Sequence, residues 1–205
     1  MSLFDDTQTV VLASGNSGKL AEFGRLLEPL NMELKFQSEF QTPEVPEDGL
    51  SFVENAIIKA RAAAKHTGHA ALGDDSGLEV DFLLGAPGIY SARFSGTKGE
   101  NADRENNLKL LRELKGVPKD QRGARFVCVL VYMRHWQDPT PLICQGTWEG
   151  QILTAPGGEN GFGYDPLFFV SKYNCSSAQL DTAEKNRISH RAKASQKLLE
   201  ALRDR

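Results

Sequence analysis

Two rhythms of apolar and polar positions run along this chain. TVVLAS, Thr9 to Ser14, is a β-branched apolar run closed by GNSGK, after which Leu20, Phe23, Leu26, Leu27 and Leu30 recur at helical spacing. This predicts strand, tight turn and helix. ELKF, Glu33 to Phe36, reads as a second short strand, and residues 37–49, with Pro43 and Pro46, as an ordered loop or irregular edge. SFVENAIIKARAAAKHTG then predicts a helix with Ser51 as N-cap, Glu54 as its capping-box partner and Gly68 just past its end.

LGDDSGLEV, Leu72 to Val80, reads as buried strand with two carboxylates at its centre. The Gly/Pro-rich LGAPGIYSARFSG follows, then a helix near Ala102 to Leu114 ended by Gly116 and Pro118. ARFVCVLVYMRH and PLICQGTWEGQI predict a hairpin across the turn QDPTP. A glycine-dense loop, PGGENGFGYDP, leads to the strand LFFV; a polar stretch, residues 171–191, precedes an amphipathic helix, Ala192 to Leu202. Strands and helices interleave around one antiparallel hairpin, which predicts an α/β fold on a mixed sheet with flanking helices.

At 205 residues and 40% hydrophobic content the chain fits one globular domain, residues 1–205, or two lobes sharing a core. No apolar run approaches the ~18 residues of a membrane span. Asp5 and Asp6 stand where a signal peptide would be basic, so a cytoplasmic protein without membrane contact is expected. Cys128, Cys144 and Cys175 are odd in number and widely spaced, and read as free thiols. A net charge of −3 offers no general footprint for nucleic acid. An anionic ligand would need a locally basic pocket.

Several segments carry candidate chemistry. In SGNSGK, Ser14 to Lys19, a strand meets a helix N-terminus, so free N–H groups and Lys19 can face an anion, although many such turns bind nothing. It lacks the Walker pattern, having Ala13 and Leu20 where glycine and a hydroxyl would stand. Asp74 and Asp75, at roughly 5 Å and an effective dielectric of about 20, repel by about 3 kcal/mol. Either a cation lies nearby, or both face water in a turn that Gly73 and Gly77 allow. A hard cation such as Mg²⁺ needs one or two carboxylates plus phosphate oxygens, and Glu44, Glu47, Asp48 and Glu54 are all candidates for the second ligand. His66 and His69 have no third zinc ligand near them and read as helix-end residues. ENGFGYDP holds Phe162, Gly163, Tyr164 and Asp165, which suit either base stacking or a structural loop. EKNRISHR offers Lys185, Arg187, His190 and Arg191, with Ser189 able to cap the last helix. Cations at a helix start oppose the dipole, which hints at an anionic or polar ligand.

LASGNSGKLAEF, EDGLSFVENAIIKARAAAK, DDSGLEVDFLLGAPGIYSARFSG, GFGYDPLFF and EKNRISHRAKA, in this order over nearly the whole chain, resemble the inosine/xanthosine triphosphate pyrophosphatase family. The resemblance implies an elongated mixed sheet with two lobes around a deep cleft, a homodimer and a requirement for Mg²⁺. It implies cleavage of ITP, dITP and XTP between the α- and β-phosphates, releasing the monophosphate and pyrophosphate. It implies Asp75 as general base and metal-associated acid, with Glu47 as the second metal ligand and Glu44 as the alternative. Ser14, Gly15, Asn16, Ser17, Gly18 and Lys19 would hold phosphates, and Ser76 would contact substrate. Phe162, Gly163, Tyr164 and Asp165 would meet base and sugar, with Lys185, His190 and Arg191 completing the pocket.

Hypoxanthine and xanthine carry a 6-oxo acceptor where adenine has a donor, so donors from His190, Arg191 or loop N–H groups would reject adenine. The rival readings are a Maf-like pyrophosphatase of modified nucleotides, which the SHR and FGYD segments oppose, and a nucleotide-binding module without turnover.

Overall fold

The computed structural model describes residues 7–14, 23–24 and 27–204. Strand β1 (Gln8–Ala13) pairs in parallel with β2 (Met32–Phe36), Val10 opposite Leu34, and in parallel with β3 (Ala70–Val80), Val10 opposite Ala70 and Ala13 opposite Gly73. The sheet continues through β4 (Gly123–Met133), β5 (Leu142–Ile152), β6 (Phe168–Val170) and β7 (Cys175–Ser176), in the order β2-β1-β3-β4-β5-β6-β7. β5 with β6 and β6 with β7 are antiparallel, so the sheet is mixed, as expected.

The chain divides into two compact units: Met1–Asp75, Val129–Gln145 and Ala194–Arg205 form one, Ser76–Cys128 and Gly146–Lys193 the other. In the first, Val10, Val11 and Leu12 are wholly buried. Helix α1 (Phe52–Thr67) lays Ala63 and Ala64 against Val11, Ala13 and Ala71. Small residues let this helix lie close, and Gly73 makes the approach closer still. A Cβ at that position would stand 2.3 Å from the Ala56 carbonyl oxygen and 2.8 Å from the Ala60 nitrogen. Phe23 and Leu27, four apart in the helix read after the first turn, are wholly buried; the residues between Ser14 and Phe23 lie outside those described.

The second unit is built on Leu78, Val80, Leu110, Leu114, Phe126, Trp148 and Phe168, with helix α2 (Ala102–Glu113) supplying Leu110. The Phe126 and Phe168 rings lie 4.5 Å apart. Arg122, buried among these residues, donates to the carbonyls of Leu114 and Ile152 at 2.8 and 2.7 Å, and to that of Leu153 at 2.8 Å.

The α1 cap follows the sequence reading, with one difference. Ser51 Oγ accepts the Glu54 N–H at 3.3 Å, but the Glu54 carboxylate receives the Leu50 N–H at 2.9 Å and the Ser51 hydroxyl at 2.7 Å, where the box predicts the Ser51 N–H. Residues 171–191 hold more structure than expected. After β7 a helix α3 (Thr182–Ile188) is capped by Asp181, whose Oδ1 accepts the Glu184 N–H at 2.8 Å; α4 (His190–Arg203) begins two residues before the expected start at Ala192. Ser189 caps α4 as expected, its Oγ accepting the Ala192 N–H at 3.2 Å. This corrects the dipole argument: Lys185 and Arg187 sit in the last turn of α3, where cations are favoured, and only His190 and Arg191 stand at a helix start.

Cys128 and Cys144 are buried and Cys175 is half-buried, and among the described residues no disulfide joins them. Among the described residues no helix is long and apolar enough to cross a membrane.

Candidate functional site

In the first unit, β3 brings Asp74 and Asp75 beneath α1, which carries Asn55 and Lys59 four residues apart and hence on one face. Because Gly73 admits the helix, these side chains reach the strand. Lys59 Nζ lies 2.9 Å from Asp75 Oδ1 and 3.0 Å from Glu47 Oε1. Asn55, wholly buried, donates from Nδ2 to Asp75 Oδ2 at 3.3 Å and accepts the Gly49 N–H on Oδ1 at 2.9 Å. The irregular segment that carries Glu47 is thus tied to the same helix.

The acidic candidates separate. Glu47 converges with Asp75 on one ammonium; Glu54 is engaged in the α1 cap; Glu44 and Asp48 are exposed. Asp74 is buried and its charge acts on Lys59. Both central aspartates are therefore inside, and the cation predicted for them is an amine of the chain itself. His66 Nε2 lies 3.1 Å from the Phe40 carbonyl oxygen and His69 packs on the Phe40 ring, the helix-end roles expected of them.

Burial pushes the Asp75 carboxyl above its usual range; the charge and hydrogen bond of Lys59 pull it back only in part, and Glu47 pushes it further up. For Lys59, burial opposes the charged form, but Asp75, then Asp74 and Glu47, outweigh it and raise the pKa. The cluster holds a firmly protonated amine beside a carboxylate with heightened proton affinity.

Among the described residues no group of three or more His, Cys, Asp or Glu side chains is placed to hold a metal ion. Asp75 and Glu47 nevertheless fit Mg²⁺: both present oxygen to one cationic point, and such an ion is commonly held by one or two carboxylates with substrate phosphates completing its shell.

In the second unit, Phe162 is 60% exposed, with Lys185 Nζ 5.1 Å and the Arg191 guanidinium 5.9 Å from its ring centre. The loop beneath it is closely held. Asp165, buried, accepts the Phe162 N–H at 2.9 Å and the Ser177 hydroxyl at 2.8 Å, and pairs with Lys185. Tyr164 is buried and donates its hydroxyl to the Ser91 carbonyl at 2.8 Å; burial, and after it the charge of Asp103, hold the phenol well above its usual pKa. His190 is buried with its ring stacked 5.0 Å from that of Phe126. An exposed ring beside two cations can stack on a flat heterocycle, while Tyr164 and Asp165 form its support.

Ser14 and Ser76 are half-buried, and Gly15, Asn16, Ser17, Gly18 and Lys19 lie outside the described residues. Sequence reasoning missed Lys59 and Asn55. Their four-residue spacing on a capped helix was in the sequence, but Arg61 and Lys65 share it on the same helix, so it does not by itself mark an inward face.

A sequence model of the Ham1 family matches residues 10–201. The chain is 58% identical to the dITP/XTP pyrophosphatase of Vibrio vulnificus strain YJ016 over 195 residues, 95% of this chain and 96% of that protein. It is 57% identical to the dITP/XTP pyrophosphatase of Shewanella oneidensis over 199 residues, 97% of this chain and 95% of that one. A solved structure of a HAM1 protein from Coxiella burnetii superposes with a TM-score of 0.92 at 47% identity, over 97% of this chain and all of the other.

Proposed function

The chain belongs to the Ham1 family, and from that premise we propose that it hydrolyses the non-canonical purine nucleotides ITP, dITP and XTP to the nucleoside monophosphate and pyrophosphate. It is a nucleoside triphosphate pyrophosphohydrolase, and its work is to keep such nucleotides out of DNA and RNA. Its relatives in Vibrio and Shewanella bear the name of that activity.

The observation that carries the mechanism is the triad of Asp75, Lys59 and Glu47. Water attacks phosphorus at the α–β anhydride; a P–O bond to water forms, the bridging P–O bond breaks and pyrophosphate leaves. Asp75 takes the proton of the water. Its raised proton affinity suits that task, since a general base works best with a pKa near the working pH. Lys59 keeps the Asp75 carboxylate oriented and, as an ammonium, offsets charge gathering on the phosphates. Asp75 and Glu47 would hold Mg²⁺, which when bound would supply Lewis-acid neutralisation of phosphate charge. Ser14, Gly15, Asn16, Ser17, Gly18 and Lys19 grip the phosphates and Ser76 touches substrate. Phe162 stacks on the purine, with Gly163, Tyr164 and Asp165 shaping the base and sugar contact. Lys185, His190 and Arg191 provide donors suited to a 6-oxo group.

The same reading takes the enzyme to be a cytoplasmic homodimer. A substrate panel with product identification tests the function: ITP, dITP and XTP give pyrophosphate in a Mg²⁺-dependent reaction, and ATP and GTP are poor substrates. Release of single orthophosphates from ITP would overturn it.

A further inference from the structure

We propose that Asp103 and Asn107 are positioning residues for the substrate base, because they fix the backbone from which Phe162 projects. The inference rests on the reading of Phe162 as the stacking surface. Asp103 and Asn107 lie four residues apart in α2, on one face of its first turns. Asp103 Oδ2 accepts the Gly163 N–H at 2.7 Å, and Asn107 Nδ2 donates to the Gly163 carbonyl at 2.7 Å. One helix therefore holds both polar groups of a single residue, immediately after the exposed ring.

Two details show that the bracket is specific. Gly163 has φ +60, a conformation that side-chain-bearing residues rarely adopt. Asn107 Nδ2 also donates to the Asp103 carbonyl at 2.7 Å, so its nitrogen faces two carbonyl oxygens, while its Oδ1 is buried with no hydrogen-bond partner among the described residues. Reversing the amide would turn its oxygen toward both carbonyls. The unpaired acceptor is thus the cost of keeping a donor on Gly163.

The neighbouring residues are held as well, Phe162 through its N–H on Asp165 and Tyr164 through its hydroxyl on the Ser91 carbonyl. A segment held at three successive residues, at two of them through the backbone, carries a ring that is 60% exposed. Such restraint suits a surface that must meet a flat base at one angle, because ordering it beforehand lowers the entropy lost on binding.

The test is a double-mutant cycle in the full-length enzyme, read as KM and kcat for ITP. Asp103→Ala raises KM about tenfold, the effect of losing one hydrogen bond to a charged acceptor, with kcat changed by less than about twofold. Asp103→Asn, whose Oδ1 still accepts from Gly163, restores KM to near the wild-type value. In a Phe162→Ala background, where KM is already raised, Asp103→Ala adds nothing. Equal effects of Asp103→Ala in both backgrounds, or an Asp103→Asn variant as impaired as Asp103→Ala, would overturn the role. If Phe162→Ala leaves KM unchanged, the stacking surface itself is refuted, and the bracket's role with it. Amide exchange at Gly163 reads the bracket without turnover: it is slow in the wild type and fast in Asp103→Ala, and equal rates would refute the contact.

Discussion

Lys59 Nζ stands 2.9 Å from Asp75 Oδ1 and 3.0 Å from Glu47 Oε1, so one largely buried ammonium joins carboxylates from a strand and an irregular segment. Lys59→Met leaves two acids facing each other with no cation between them. Removing one partner of a buried ion pair costs about 3–5 kcal/mol, so the urea midpoint should fall accordingly. Millimolar Mg²⁺ should then raise the melting temperature more in Lys59→Met than in the wild type, since the added ion replaces the lost charge. Equal shifts in the two proteins would show that the carboxylates do not share a cation site.

Asp75→Asn keeps the size of the side chain and removes its basicity. Turnover of ITP should fall about a thousandfold, within the range that a general base contributes, while circular dichroism shows a folded protein. A variant that retained near-wild-type turnover would exclude Asp75 as the base.

The charge cluster also predicts how stability follows pH. Asp75 titrates above its ordinary 3.8 in the folded protein, so the native state holds that proton more tightly than the unfolded chain. The corresponding stability is fully present below pH 3.8 and is lost as pH rises through the folded value. Relative to wild type, Asp75→Asn should gain stability across that window and then level off. Lys59 titrates above 10.5, so what it contributes is complete below pH 10.5 and disappears as pH rises past its folded value. Urea midpoints measured from pH 3 to 11 check both limbs, and a wild-type minus Asp75→Asn difference that is flat across the acid window would contradict the first.

Gly73→Ala tests the helix approach. The added Cβ would meet the Ala56 carbonyl at 2.3 Å, inside any tolerable contact, so α1 must move off β3. Overpacking of this kind costs about 1–3 kcal/mol or more. Activity should fall further than stability at a temperature where the variant is folded, because the shift carries Lys59 and Asn55 away from Asp75. Full activity in a folded Gly73→Ala protein would show that the placement of α1 is not critical.

The sequence made most elements legible where periodicity and punctuation agreed. Ser51, Glu54 and Gly68 bound α1, and the β-branched runs around QDPTP became β4 and β5. Asp181-Thr-Ala-Glu184 is a capping signature of the same kind, but it follows a polar stretch without an apolar stripe, so α3 did not stand out. The carboxylates of the site were visible because two adjacent acids in an apolar strand demand an explanation. Lys59 and Asn55 were not, because a lysine and an asparagine on a helix ordinarily face water. Only the missing Cβ of Gly73, a packing fact about a different element, turns them inward. Glu47 was singled out among four acids by resemblance, whereas the spacing alone had left all four open.

The first unit contains Met1–Asp75 together with Val129–Gln145 and the last segment, Ala194–Arg205. In chain order the strand and helix that present Asp75, Lys59 and Glu47 are made first, and the unit to which they belong lacks a part until the helix His190–Arg203 has followed. Between those points the nascent chain carries an incomplete hydrophobic surface, a period in which chaperone capture and aggregation compete with folding.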